Sequence, residues 1–263
     1  MKKAILAVSF GTSHHDTLAK TIAALEADLG NAFSERPVFR AFTSGMIIRA
    51  VKTRDGINID DVPAAMRRLI DASVQDLIIQ PTHILNGDEH EKLLAQVEPF
   101  LASFERVVFG APLLTSVEDY METAQALVKN LPEKREDTAI LFMGHGTEHY
   151  SNAAYAQMEY IFHDMARDDV VFGTVEGYPG FEEALRRLNE RPQVKKVELY
   201  PFMIVAGDHA KNDMSCDEPD SWKSVLEREG YEVSCHLVGL GEFSEIRNIF
   251  TAHARAAINS AEG

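Results

Sequence analysis

Ala139-Ile140-Leu141-Phe142-Met143-Gly144-His145-Gly146-Thr147 is an apolar run that closes on a histidine held between two glycines. Ala4-Ile5-Leu6-Ala7-Val8-Ser9-Phe10-Gly11-Thr12 repeats its frame, with Ala, Ile, Leu, Gly and Thr at matching places. Each stretch reads as a buried β-strand leading into a turn, since it is short, aliphatic and stopped by glycine. A second pair follows in the same order: Pro81-Thr82-His83-Ile84-Leu85-Asn86-Gly87-Asp88 recurs as Pro201-Phe202-Met203-Ile204-Val205-Ala206-Gly207-Asp208, sharing Pro, Ile, Gly and Asp in register. Two matches in one order point to an internal duplication.

Working outward, strands are predicted at Ala4–Ser9, Val38–Phe42, Asp76–Gln80, Val107–Phe109, Ala139–Met143, Val170–Val175, Lys196–Tyr200 and Glu232–Leu237. Helical periodicity fills the gaps. Leu18, Ile22, Leu25 and Leu29 form one apolar stripe that Gly30 is expected to stop, and Ile246, Ile249, Phe250, His253 and Ala257 form the last. Ser116 with Asp119 has the spacing of a capping box. The alternation predicts an α/β fold of two similar lobes, each a parallel β-sheet flanked by helices. The boundary is expected in the polar stretch Pro132 to Asp137, giving lobes of residues 1–132 and 133–263. An active cleft is expected between the lobes, at the carboxyl ends of the strands.

Composition narrows the function. The chain has 263 residues, with 41 Asp and Glu against 26 Lys and Arg and a formal charge of −15, so nucleic acid is not an expected partner. Its apolar runs are too short to span a membrane. Cys216 and Cys235 lack metal-type or redox-type spacing, and the apolar run after Met1-Lys2-Lys3 is too short for a secretory signal. A cytoplasmic protein is the reading. There are no coiled-coil heptads, and a homo-oligomer is compatible with the pattern.

Three segments of the second half each place a metal-competent side chain just after a predicted strand: His145, Glu176 in Val175-Glu176-Gly177-Tyr178, and His209 in Gly207-Asp208-His209-Ala210. They lie about one βα unit apart, so successive strands can deliver them to one edge of a sheet. Two imidazoles and a carboxylate suit a borderline divalent ion such as Co²⁺, Ni²⁺, Fe²⁺ or Zn²⁺, and an incomplete shell leaves positions for a substrate. The flanking glycines permit close approach by a bulky planar ligand.

Ser9-Phe10-Gly11-Thr12-Ser13, Arg40-Ala41-Phe42-Thr43-Ser44-Gly45-Met46-Ile47-Ile48-Arg49, Met143-Gly144-His145-Gly146 and Val205-Ala206-Gly207-Asp208-His209-Ala210 with Asn212-Asp213-Met214 extend the picture. In these motifs the chain resembles the anaerobic sirohydrochlorin cobaltochelatases of cobalamin biosynthesis. Those enzymes are class II, ATP-independent chelatases that share a two-lobed fold with protoporphyrin ferrochelatase. The resemblance implies insertion of Co²⁺ into sirohydrochlorin with release of two protons, and no nucleotide. It transfers the metal ligands onto His145, Glu176 and His209, with proton abstraction from the macrocycle assigned to His145. The absence of a G-x-x-x-x-G-K stretch agrees. Fe²⁺ or Ni²⁺ as the metal, or a non-catalytic metal or tetrapyrrole carrier, are the alternatives.

In the repeat register Phe10 stands where His145 does, Ser44 near the place of Glu176, and Glu89 beside that of His209. The first lobe is therefore expected to supply the tetrapyrrole wall, with Phe10 and Phe42 against the ring. Sirohydrochlorin is a polycarboxylate, so Arg49, Lys52 and Arg54 are candidates to bind it. His83 either reaches the cleft or a subunit contact, or is a satisfied buried histidine. His253, on the apolar stripe of the last helix, is read as core.

Overall fold

The computed structural model describes residues 1–261. In chain order the elements are β1 (Lys3–Ser9), α1 (His15–Lys20), α2 (Ile22–Ala32), β2 (Val38–Phe42), α3 (Gly45–Asp55), α4 (Val62–Asp71), β3 (Asp76–Pro81), α5 (Asp88–Val97), β4 (Arg106–Phe109) and α6 (Val117–Asn130). There follow β5 (Thr138–Gly146), α7 (Ala153–Asp164), β6 (Val170–Glu176), α8 (Phe181–Asn189), β7 (Lys196–Phe202), α9 (Trp222–Arg228), β8 (Glu232–Cys235) and α10 (Ser244–Ser260). All eight predicted strands are present. They form two wholly parallel four-stranded sheets, ordered β2-β1-β3-β4 and β6-β5-β7-β8. The same crossing order twice is the duplication read from the repeated motifs, now visible as topology.

The chain divides into two compact units, Met1–Asp119 with the segment from Gly241 onward, and Tyr120–Leu240. The expected boundary at Pro132 to Asp137 assigned the last helix to the second lobe, whereas α10 belongs to the first unit. It packs on α2, β3 and β4. Arg247 donates to Asp28 at 2.6 Å, and His253 bonds the Ala111 carbonyl at 3.0 Å and Asp119 at 2.7 Å. His253 is thus a hydrogen-bonded tie as well as a member of the apolar stripe.

Each sheet is covered on both faces. In the first unit Leu6, Leu77 and Ile79 pack with Val62, Met66 and Leu69 of α4 and Leu93 and Val97 of α5. In the second, Leu141, Met143, Val171, Val197 and Leu199 pack with Ala184 and Leu188 of α8 and with Trp222 and Leu226 of α9. Each such side chain removed from water contributes on the order of 2 kcal/mol. The opposite face of the second sheet is aromatic: the Phe142 and Phe172 rings stack at 5.0 Å, and Phe172 meets Phe202 edge-on at 5.1 Å.

Local differences from the expectations have simple causes. The stripe from Leu18 to Leu29 is broken at Thr21, whose φ of −116° and ψ of −84° are not helical, and Gly30 lies inside α2, which ends at Ala32. The Ser116–Asp119 capping box is present, with the Ser116 N–H donating to Asp119 at 2.7 Å and the Asp119 N–H to Ser116 Oγ at 3.1 Å. Among the described residues no helix is long and apolar enough to cross a membrane.

Candidate metal site

The second unit carries the paired histidines. β5 runs on past its predicted end at Met143 to Gly146, because Gly144 pairs with both Thr174 and Phe202 and Gly146 with Glu176. His145 therefore lies within the strand, not in a turn after it, and is held by a backbone bonded on both sides. Gly146 has φ of +81°, and a Cβ built there would stand 1.5 Å from the Glu176 carbonyl oxygen, so only glycine fits. Glu176 is the last residue of β6 and is exposed. His209 opens a single wide helical turn, Ala210–Met214, beyond the end of β7.

The His145 and His209 rings meet edge to face, with centroids 4.7 Å apart and planes at 88°. His145 Nδ1 lies 3.0 Å from the Gly146 carbonyl oxygen, and His209 Nδ1 lies 2.5 Å from Asp213 Oδ2. Carbonyl and carboxylate oxygens only accept, so each Nδ1 carries the hydrogen and each Nε2 the lone pair. That is the tautomer a metal ligand needs, and a carboxylate or carbonyl behind the ring is what usually enforces it. Glu176 is not gathered in the same way. Among the described residues, no group of three or more His, Cys, Asp or Glu side chains stands arranged to hold an ion. The protein brings two of the three expected ligands together and leaves the third in solvent at the neighbouring strand end.

Two supporting residues were given no role in the sequence reading, although Asp213 lies in a quoted motif. Asp213 is four residues beyond His209 on a helical turn, a spacing that places both on one face and was legible as such. Tyr155 on α7 is buried, and its hydroxyl oxygen accepts the Gly146 N–H at 3.3 Å. Burial pushes its phenol up to about 12, so it stays protonated at neutral pH and props the backbone beneath His145. Nothing in the local sequence marks it, because its partner is a backbone amide on another element.

The first unit holds the remaining expected residues. Phe10 lies just past β1 and is 41% exposed, and the Ser44 N–H donates to its carbonyl at 3.2 Å. Phe42 was expected against a ligand; it is fully buried, its ring lying over Gly11, because the last residue of β2 points into the core. Ser44 is buried and caps α3, its Oγ accepting the Ile47 N–H at 3.4 Å. Arg49 and Lys52 are exposed on α3. Arg54 is already engaged: it donates to both oxygens of Asp55 at 2.8 and 2.7 Å, and this hydrogen bonding holds the Asp55 carboxyl down to about 2. Glu89, in the first turn of α5, accepts from Thr43 Oγ1 at 2.6 Å and lies 3.3 Å from Lys92. His83 is not the satisfied buried histidine that was one expectation. It is 8% exposed, so it is buried, yet neither ring nitrogen has a hydrogen-bond partner. Burial pushes its pKa down to about 4, which keeps the ring neutral.

Comparison with known proteins places the chain in a family. A family model described as cobalt chelatase matches residues 3–259. A sirohydrochlorin cobaltochelatase of Salmonella typhimurium is 45% identical over 99% of this chain and 98% of its own. The sirohydrochlorin cobaltochelatase CbiKC of Nitratidesulfovibrio vulgaris is 32% identical over 98% of this chain and 92% of its own. Among solved structures, the sirohydrochlorin chelatase SirB from Bacillus subtilis subspecies spizizenii in complex with cobalt superposes with a TM-score of 0.64 at 14% identity, covering 100% of this chain and 98% of that one. At that identity the likeness is one of fold.

Proposed function

The chain belongs to the cobalt chelatase family, and from that premise we propose that it inserts Co²⁺ into sirohydrochlorin and releases two pyrrole protons, with His145 and His209 gripping the ion and Glu176 completing its shell. The observation that carries this reading is the pair of imidazoles 4.7 Å apart, each with Nδ1 tied to an oxygen acceptor and its lone pair on Nε2. Glu176, at the neighbouring strand end, would bring a negative charge to the ion on joining its shell, which offsets the cost of stripping water from a divalent cation. As the ion passes from His145 to the macrocycle, the Co–Nε2 bond breaks and a Co–N(pyrrole) bond forms. The Nε2 lone pair so released takes up one pyrrole proton, the second passes by way of the Glu176 carboxylate to water, and no nucleotide enters the step. One imidazole serves in turn as ligand and base.

Imidazole and carboxylate donors follow the general affinity series and also accept Fe²⁺ and Ni²⁺. Cobalt is our assignment because the relatives are named for it. Exposed Phe10 is our candidate for contact with the ring, and Arg49 with Lys52 for its carboxylates, since Arg54 already serves Asp55. Cys216 and Cys235 are both free thiols, which fits a cytoplasmic enzyme. The test is anaerobic turnover of sirohydrochlorin and Co²⁺ followed by absorption. The wild type is expected to make many equivalents of product per chain, and His145→Ala and His209→Ala to lose roughly a hundredfold or more in rate. Product that stops at one equivalent per chain would instead identify a carrier.

A further inference from the structure

We propose that Asn152 is a positioning residue that sets where Glu176 stands relative to His145; this rests on the reading of those residues as metal ligands. Asn152 is 7% exposed and stands at the first residue before α7, a place where asparagine ordinarily caps the helix with its side chain. Here it makes no such cap. Its carboxamide is turned instead to the two strand ends: Oδ1 accepts the Thr147 N–H at 2.9 Å, and Nδ2 donates to the Tyr178 carbonyl at 2.5 Å. Thr147 is two residues beyond His145, and Tyr178 is two beyond Glu176. One buried side chain thus ties the turn after β5 to the turn after β6.

The surrounding backbone is built to the same end. Gly177 has φ of +88°, and a Cβ there would lie 2.6 Å from the Thr147 carbonyl oxygen and 3.2 Å from Asn152 Nδ2. With Gly146 closed against Glu176, the two turns run close together, and Asn152 supplies an acceptor to one and a donor to the other. Aspartate keeps the acceptor and loses the donor, and alanine loses both. Since the partner groups are backbone amides of the two turns, removing the carboxamide takes away the tie between them without touching either ligand, while Thr174 still holds the Glu176 turn through the Pro179 carbonyl. Partners behind metal ligands typically alter metal affinity by ten- to a hundredfold.

The experiment is a Co²⁺ titration, followed by the visible absorption of the bound ion, on the wild type, Asn152→Ala, Asn152→Asp, Glu176→Ala and the Asn152→Ala/Glu176→Ala double variant. His145→Ala serves as the reference for the site itself. Asn152→Ala is expected to weaken Co²⁺ binding about tenfold or more and to shift the spectrum, and the double variant to bind no more weakly than Glu176→Ala alone. Asn152→Asp, which keeps the Thr147 bond, carries the same expectation if the alanine variant folds poorly. If the losses multiply in the double variant, or Asn152→Ala and Asn152→Asp bind as the wild type does while His145→Ala does not, the inference is overturned and the site stands. If His145→Ala and Glu176→Ala both bind as the wild type does, the site reading fails, and the positioning role with it.

Discussion

Acidification should destabilise this protein more than a His83→Leu variant, by an amount set by one ring. His83 is buried just beyond β3 without a hydrogen-bond partner, and burial holds its pKa down from 6.5 to about 4. Lesser effects come from His90 and Lys92, which lower it, and Glu89, which raises it. In the unfolded chain the ring titrates near its ordinary value. Between the two values the unfolded state therefore binds a proton that the folded state refuses. Stability is whole above about pH 6.5, falls as the pH drops through that window, and stops falling below about pH 4, where the folded ring is charged as well. At 1.36 kcal/mol per unit, the full penalty is about 3 kcal/mol, of which roughly 2 kcal/mol is reached by about pH 5. Urea unfolding of both proteins at steps from about pH 7.5 to about pH 5 isolates it, because the other titrating groups largely cancel in the difference. At neutral pH the leucine variant should be at least as stable, having no buried unpartnered nitrogen. A difference that stays flat within about 0.5 kcal/mol across the range would show that the ring is protonated in the fold and that burial does not exclude the charge.

Three further outcomes follow from the geometry. Gly146→Ala should cost more than about 2 kcal/mol in a denaturant melt, because it combines a left-handed backbone with a clash against the Glu176 carbonyl oxygen; an unchanged midpoint would contradict that close approach. Asp213→Ala should weaken Co²⁺ binding by about tenfold or more with little change in melting temperature, since it releases Nδ1 of His209; a calorimetric titration reads the affinity and a thermal melt the stability. His253→Ala should destabilise the protein by roughly 1–3 kcal/mol, because it leaves the Ala111 carbonyl and the Asp119 carboxylate short of a donor; unfolding curves indistinguishable from wild type would remove its role as the tie to α10.

Much of this was legible in the residues themselves. Eight aliphatic runs bounded by turn residues became eight strands, and the repeated motifs became a repeated sheet order. The pairing of His145 with His209 followed from strand ends arriving at one sheet edge. What escaped depends on partners distant in sequence. Phe10 and Phe42 look alike as aromatics near strand ends, but one lies just past β1 and is exposed while the other closes β2 and points inward, a difference of register that composition does not carry. Tyr155 acts on a backbone amide, which has no residue signature. The apolar stripe of α10 announces a buried face without saying whose core it enters.

The return of that helix makes the second unit an insertion: Tyr120–Leu240 is a single uninterrupted stretch, while the other unit is assembled from the segments that precede and follow it. During synthesis the inner stretch is complete before its host can be, since the host waits for residues that follow Leu240. Nascent chains stalled once Leu240 has cleared the exit tunnel should already protect β5 to β8 from protease and leave β1 to β4 cleavable. Protection of both sheets at that length would mean that the host closes without its final helix.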